Sequence, residues 1–229
     1  MAHRLALVCA MILAACAAFA GDVAQFANLG FSADGKYFMF GQYGIAEKDS
    51  TPWADTFIVD VKANAFAAKG VRHLAGQQPV DPGSNGMGAL LNALSDGIAQ
   101  TRQYKVDHLV TGRLLYVLVD GAQAADTLEF RDFPTGRAYR ISLTQSAAPA
   151  GQPVSSSFNI AITVTEKDGT TSSFTAGSPA IKRAGVKAYH IKQIVLSPDS
   201  RSLVFIVQRE EQDTKGANIR YMVETVRSK

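Results

Sequence analysis

The chain is short of three things. Its two cysteines, Cys9 and Cys16, both lie in the first sixteen residues, so everything after them has no thiol. That excludes an internal disulfide or a cysteine-based zinc site beyond residue 16 and leaves the fold to its core alone. Net charge is also scarce. The formal value is +3, and setting aside Arg4, the only charged residue in the first twenty, leaves +2. A balance so near neutral gives no basis for nucleic-acid binding. The densest basic stretch, IKRAGVKAYHIK (181–192), spaces Lys182, Arg183, Lys187 and Lys192 irregularly and reads as a solvated strand-and-loop face. Long apolar runs are the third scarcity: there is one, at the start.

That run sits in MAHRLALVCAMILAACAAFAGD, which has the parts of a secretory leader. His3 and Arg4 make a short basic end, an apolar stretch follows, and Ala18-Phe19-Ala20 offers small residues before a cut between Ala20 and Gly21. The stretch is about 16 residues, against about 20 for a spanning helix. An overlapping reading takes Leu13-Ala14-Ala15-Cys16 as a lipobox, with Cys16 lipidated. The expectation is therefore a signal peptide at 1–20 and a single β-rich domain at 21–229, with no transmembrane span after leader removal. The product is secreted or periplasmic, or in the alternative lipid-anchored at the bacterial envelope.

What is present is a repeated phrase. FSADGKYFMF (31–40) returns as LSPDSRSLVF (196–205), aligning Ser32 with Ser197, Asp34 with Asp199, Lys36 with Arg201 and Phe40 with Phe205. Each copy reads as strand, tight turn, strand, because Asp, Gly, Pro and Ser are turn formers with distinct physical reasons. The alignment continues without a gap to TFIVDVK and YMVETVR, so each copy is a three-stranded unit. The strands predicted after the turns, 36–43 and 201–208, are apolar on both faces. Phe38 and Phe40 oppose Tyr37, Met39 and Tyr43; Leu203, Phe205 and Val207 oppose Val204 and Ile206. Such strands need cover on both sides.

These two phrases resemble the S-x-D-G-K/R turn of the WD40-like repeats in TolB-type β-propellers. Ser200 departs from that pattern where a Gly is expected. The whole chain, through its leader and NLGFSADGKYFMFGQYGI, resembles an uncharacterised family of predicted secreted bacterial proteins known chiefly from spirochaetes. That resemblance implies export and carries no catalytic residues.

The middle is less regular. TGRLLYVLVD (111–120) followed by DTLEFRDFPTG (126–136) reads as a degenerate blade. GMGALLNALSDGIAQTRQYK (86–105) breaks the strand rhythm with Met87, Leu90, Leu91, Leu94 and Ile98 at helical steps, capped by Ser84 or Asn85 and weakened at Gly97. Alternation returns at Tyr139, Ile141 and Leu143 and at Ile160, Ile162 and Val164, with Asp168-Gly169 as a hairpin turn. The fold class expected is mainly β: one domain of layered antiparallel sheets, propeller-like or sandwich-like, with one inserted helix at about 86–105.

No catalytic pattern stands out. GSNGMG (83–88) lacks the Lys-Ser/Thr of a phosphate loop, no G-x-S-x-G occurs, and His73, His108 and His190 have no second ligand at metal spacing. No cofactor and no metal are expected. The aromatic group Tyr37, Tyr43 and Trp53 is the candidate binding surface, with Trp53 in the loop GQYGIAEKDSTPW. Two functions remain in view. One is a non-enzymatic binding or interaction module of the envelope, with an unknown envelope protein or ligand as partner. The other is a secreted hydrolase whose His, Ser and Asp residues assemble from dispersed positions.

Overall fold

The computed structural model describes residues 22–213 and 216–227. Alternating apolar residues and Gly/Asp/Pro turns produce three antiparallel sheets. The N-terminal sheet holds β1 (Gln25–Ser32), β2 (Tyr37–Ile45), β3 (Pro52–Asp60), β4 (Ala65–Ala75) and the short β5 (Val106–Asp107), ordered β4-β3-β2-β1-β5. Between β4 and β5 lie α1 (Met87–Asp96) and α2 (Ile98–Gln103). The mid-chain sheet is a meander of β7 (Thr127–Asp132), β8 (Arg137–Ala147), β9 (Ser155–Thr165) and β10 (Thr171–Ala184). The central sheet joins β6 (Arg113–Val117) to β11 (Val186–Leu196), β12 (Ser202–Glu211) and β13 (Asn218–Arg227), ordered β13-β12-β11-β6.

The name "central" follows from burial. Every residue from Ser202 to Val207 is buried. Leu203, Phe205 and Val207 join Ile141, Ile160 and Ile162 of the mid-chain sheet in one core. Val204 and Ile206 face the other way and pack with Phe38, Phe40 and Trp53 of the N-terminal sheet in a second core. The side-chain alternation expected for both hairpins is the alternation found. The layered arrangement is thus a stack of three open sheets, not a ring.

One expectation fails here. The stretch 111–136 is not a blade hairpin, because β6 pairs with β11 while β7 pairs with β8 in a different sheet. Gly112 presses against Leu196 and Phe31 at the crossing, where an added Cβ would lie 2.7 Å from the Leu196 carbonyl oxygen. The chain leaves the central sheet after β6, builds the whole mid-chain sheet and returns.

The repeated phrases fold as twins. In the first turn the Ser32 hydroxyl donates to the Asp34 Oδ1 at 2.6 Å, and the backbone N–H groups of Lys36 and Tyr37 donate to Asp34 Oδ1 and Ser32 Oγ at 3.1 and 2.9 Å. In the second, Ser197 donates to Asp199 Oδ1 at 2.6 Å, and Arg201 and Ser202 N–H donate to Asp199 Oδ1 and Ser197 Oγ at 3.1 and 2.9 Å. Both use a left-handed residue, Gly35 at φ 68° and Ser200 at φ 58°. Ser200 therefore keeps the geometry that its sequence puts in doubt, at the steric cost of a Cβ in that region. The turns also touch: a Cβ on Gly35 would sit 3.2 Å from the Asp199 carboxylate.

The inserted helix is two helices. It breaks at Gly97, whose φ −88° and ψ 1° interrupt the first and start the second. Asn85 rather than Ser84 supplies the side-chain acceptor at the start, taking the Met87 N–H at 3.0 Å. The apolar stripe is rotated from the one the spacing suggested. Ala89, Leu90 and Ala93 are buried, while Met87, Leu91 and Ile98 are exposed. Small alanines let the helix lie close on Ala54 and on Gly41, where an added Cβ would come within 2.7 Å of Leu90 Cδ1.

All three sheets meet at one buried carboxylate, Glu224 on β13. Asn64, from the β3–β4 turn, donates to its Oε2 at 2.5 Å. The Gly177 N–H of β10 donates at 3.3 Å, and Arg183 lies 3.7 Å from its Oε1. Residues 22–24 close the free edge of β13 through a parallel bridge between Val23 and Ile219.

Candidate functional site

The three aromatics singled out by sequence occupy three places. Trp53 lies within β3, not in a loop, and its ring faces the central sheet; only 7% of the residue is exposed. Its Nε1–H donates to Asp22 Oδ1 at 3.3 Å, and the Arg220 guanidinium stacks over the ring at 4.4 Å while binding Asp22 Oδ2 at 2.7 Å. This is a packed cation–π clamp that fastens residue 22 to β13. Tyr43 points to the opposite face of its sheet and packs with α1. Tyr37 shares that face but stands six residues away, about 20 Å along the strand. Gly21, Ala20 and Cys16, the processing positions, lie outside the described residues.

Tyr37 lines a cleft. The cleft measures about 370 Å³ and lies between the β1–β2 turn and the end of α2, lined by Asp34, Lys36, Tyr37, Gln103, Tyr104 and Lys105 among others. The Tyr37 and Tyr104 rings meet at 4.7 Å between centroids, at 60°. Tyr104 is itself fixed, because its hydroxyl donates to the Ala68 carbonyl at 2.7 Å. Lys36 Nζ sits 5.1 Å from the Tyr37 ring centre. Hydrogen bonds from the Ser32 hydroxyl and the Lys36 N–H hold the Asp34 carboxyl below its usual range. A paired aromatic wall with two ammonium groups and one carboxylate can stack a ring and grip an anion.

Sequence spacing hid a second arrangement. In the β3–β4 pair Asp55 faces His73, and His73 Nδ1 bonds Asp55 Oδ1. Gln42 Nε2 donates to Asp55 Oδ2 at 3.0 Å, and Gln42 Oε1 accepts the Tyr221 N–H at 2.8 Å. The carboxylate is thus oriented from behind, and the His73 side chain is 67% exposed. Eighteen residues separate the pair. The turn at 61–64, with Asn64 at φ 49°, was the available signal, since locating it sets the register that pairs them. The other histidines serve separate purposes: His108 Nδ1 bonds the Leu29 carbonyl at 2.6 Å, and His190 sits opposite Gln208.

A run of three serines occupies 155–157. All three lie in β9; Ser156 and Ser157 are buried, and Ser156 donates to the Val186 carbonyl at 2.8 Å. Among the described residues no group of three or more His, Cys, Asp or Glu side chains is placed to hold a metal ion. No helix among them is long and apolar enough to cross a membrane.

The stack and its clefts define a layered antiparallel β protein with a helical cover on one side. The chain belongs to the family described as predicted secreted protein, DUF2259, whose model matches residues 39–227. The match begins inside β2, so it takes in the second of the twin turns and not the first. No curated protein matches the chain.

Proposed function

We infer that the chain is an exported, non-enzymatic binding module of the cell envelope, with the Tyr37–Tyr104 cleft as its contact surface. One observation carries this reading: the cleft places a part-exposed Tyr37, backed by the buried Tyr104, and two lysines at the end of the stack where the twin turns lie. That end is braced against deformation. The two turns touch, and Arg137 of β8 donates to the Ser200 carbonyl at 3.0 Å, so all three sheets contribute to it. A rigid surface loses little entropy on binding. Export by a leader cleaved before Gly21, a domain at 21–229, and anchoring through Cys16 as the alternative belong to the same proposal. So do the likeness of the twin hairpins to the WD40-like repeats of TolB-type β-propellers and the placing of the chain in a group known chiefly from spirochaetes.

The test is recovery of partners from an envelope extract, comparing the chain with its Tyr37→Ala/Lys105→Gln variant. Partners held by the first and lost by the second support the reading. Equal recovery by both removes the cleft from it.

The His73–Asp55–Gln42 chain favours a second reading, a hydrolase in which His73 acts as general base on a bound water. His73→Gln would then abolish turnover of ester or glycoside substrates by the exported chain, whereas turnover unaltered by that change eliminates it.

A further inference from the structure

The mid-chain sheet carries a second, differently built hollow. Its volume is about 230 Å³, and its lining includes Arg131, Phe133, Pro134, Ala138, Thr165 and Lys167. An adjoining hollow of about 400 Å³ shares Arg131, Ala138 and Thr165 and is completed by Glu129, Phe130, Tyr139 and Arg140.

Charge at this corner is unevenly used. Arg113 is spent on Asp132, Arg137 on Glu166, and Arg140 on Glu129. The Asp168 carboxylate accepts the Thr170 N–H at 2.9 Å. The side chains of Arg131 and Lys167 form no hydrogen bond or ion pair among the described residues. Two free cations therefore flank the hollow, with the nearby carboxylates already engaged.

Phe133 stands beside them with 87% of its surface exposed. It is nevertheless firmly mounted. Its neighbour Asp132 is buried and gripped by both Arg113 and Thr135, the Gly136 N–H donates to the Asp132 carbonyl at 2.8 Å, and Pro134 follows directly. An exposed ring on a held backbone offers a face for stacking. Next to it, strand register sets two rows across the outer face of the sheet: Arg131, Ala138, Thr165, Thr171 and Glu129, Arg140, Thr163, Ser173. Hydroxyls and charges fill these rows, and no large apolar side chain stands in them.

We propose that this hollow binds a uronic-acid unit of an acidic polysaccharide. The C–H face of the sugar stacks on Phe133, its carboxylate lies between Arg131 and Lys167, and the next unit occupies the adjoining hollow against the threonine rows. A phosphate or a lipid headgroup would satisfy the cations but leave the ring and the second hollow unused. A bilayer surface would require apolar neighbours for Phe133, and the rows beside it are polar. The site is independent of the Tyr37 cleft.

The test uses the exported chain on immobilised polygalacturonate, alginate and hyaluronate, with fully methyl-esterified pectin as the uncharged counterpart and phosphatidylglycerol vesicles as the lipid arm. Retention on at least one acid polymer is expected, with none on the ester. Phe133→Ala and Arg131→Gln/Lys167→Gln should each weaken it about tenfold, in line with the loss of a stacked ring or a charged hydrogen bond. Thr175→Val, two rows away, should leave it unchanged. Both changed sites are on the surface, so circular dichroism spectra of the variants should match the parent. No retention on any acid polymer, equal retention on the ester, or binding to vesicles alone each overturns the proposal. So does retention untouched by both variants.

Discussion

The N-terminal and mid-chain sheets pack against opposite faces of the same central sheet, yet they turn different chemistry outward. On the first, Met39, Ile58, Ala54 and Tyr43 face away from the central sheet and are covered by α1, α2 and Tyr104. On the second, the outward rows are threonine, serine, alanine and paired or free charges, with none of the described residues laid over them. Covered apolar area stabilises, at about 25 cal/mol per Å² removed from water. A hydroxyl-rich face gains nothing from cover and stays available to a ligand. The same contrast explains why the stack stops at three sheets. A further sheet docking on either side would meet a helix or a polar face, and neither offers an apolar surface to bury.

The contrast can be broken first at the group that both sheets share. Glu224→Ala removes the carboxylate that Asn64, Gly177 and Arg183 converge on and leaves Arg183 without its partner. The expected loss is about 3–5 kcal/mol in denaturant unfolding. The covered face comes next. Leu90→Ala opens a cavity beneath α1 and should cost about 2–5 kcal/mol, whereas Thr175→Val on the uncovered face should stay within about 0.5 kcal/mol. If the two changes cost the same, the outward faces do not differ as described.

The junctions with the central sheet give smaller effects of opposite sign. Gly35→Ala puts a Cβ into the left-handed region against Asp199 and should cost about 1 kcal/mol. Ser200→Gly relieves the same strain but frees the unfolded chain, for a net gain below about 1 kcal/mol.

The last test is of acid sensitivity at the Phe133 turn. The Arg113 guanidinium holds the Asp132 carboxyl below its usual value, and Thr135 adds to this against the opposing effect of burial. A folded-state pKa depressed in this way adds stability that is present above the unfolded value, about 3.9, and disappears as pH falls through the folded value. Asp132→Asn should flatten the acid limb of the stability curve below about pH 4. Asp34 and Asp168 are shifted in the same direction, so a residual slope should remain.

Much of this architecture is legible in the chain, and for reasons that differ by residue. The twin turns could be read because each is decided within six residues: Ser, Asp and a left-handed position build the same hydrogen bonds wherever they occur. The two-sided burial of β2 and β12 was equally local, since both faces are apolar. The helix face was not, because Leu91 and Met87 look as suitable for burial as Leu90. Only the smooth surface of Gly41 and Ala54 selects the alanine side. Tyr37 could be picked out as an aromatic of interest, but its partner Tyr104 lies 67 residues on and meets it only when α2 folds back. The His73–Asp55 pair and the Arg131–Phe133–Lys167 corner were hidden for the same reason, since strand register brings their members together.

By itself, then, the sequence determined the turns, the alternation of the strands and the interruption by a helix, since each follows from contacts between near neighbours. Tertiary structure alone decided which sheet receives β6, where Trp53 is buried, and which charges remain unpaired. Those outcomes depend on pairing between distant strands, whose energies no local stretch contains.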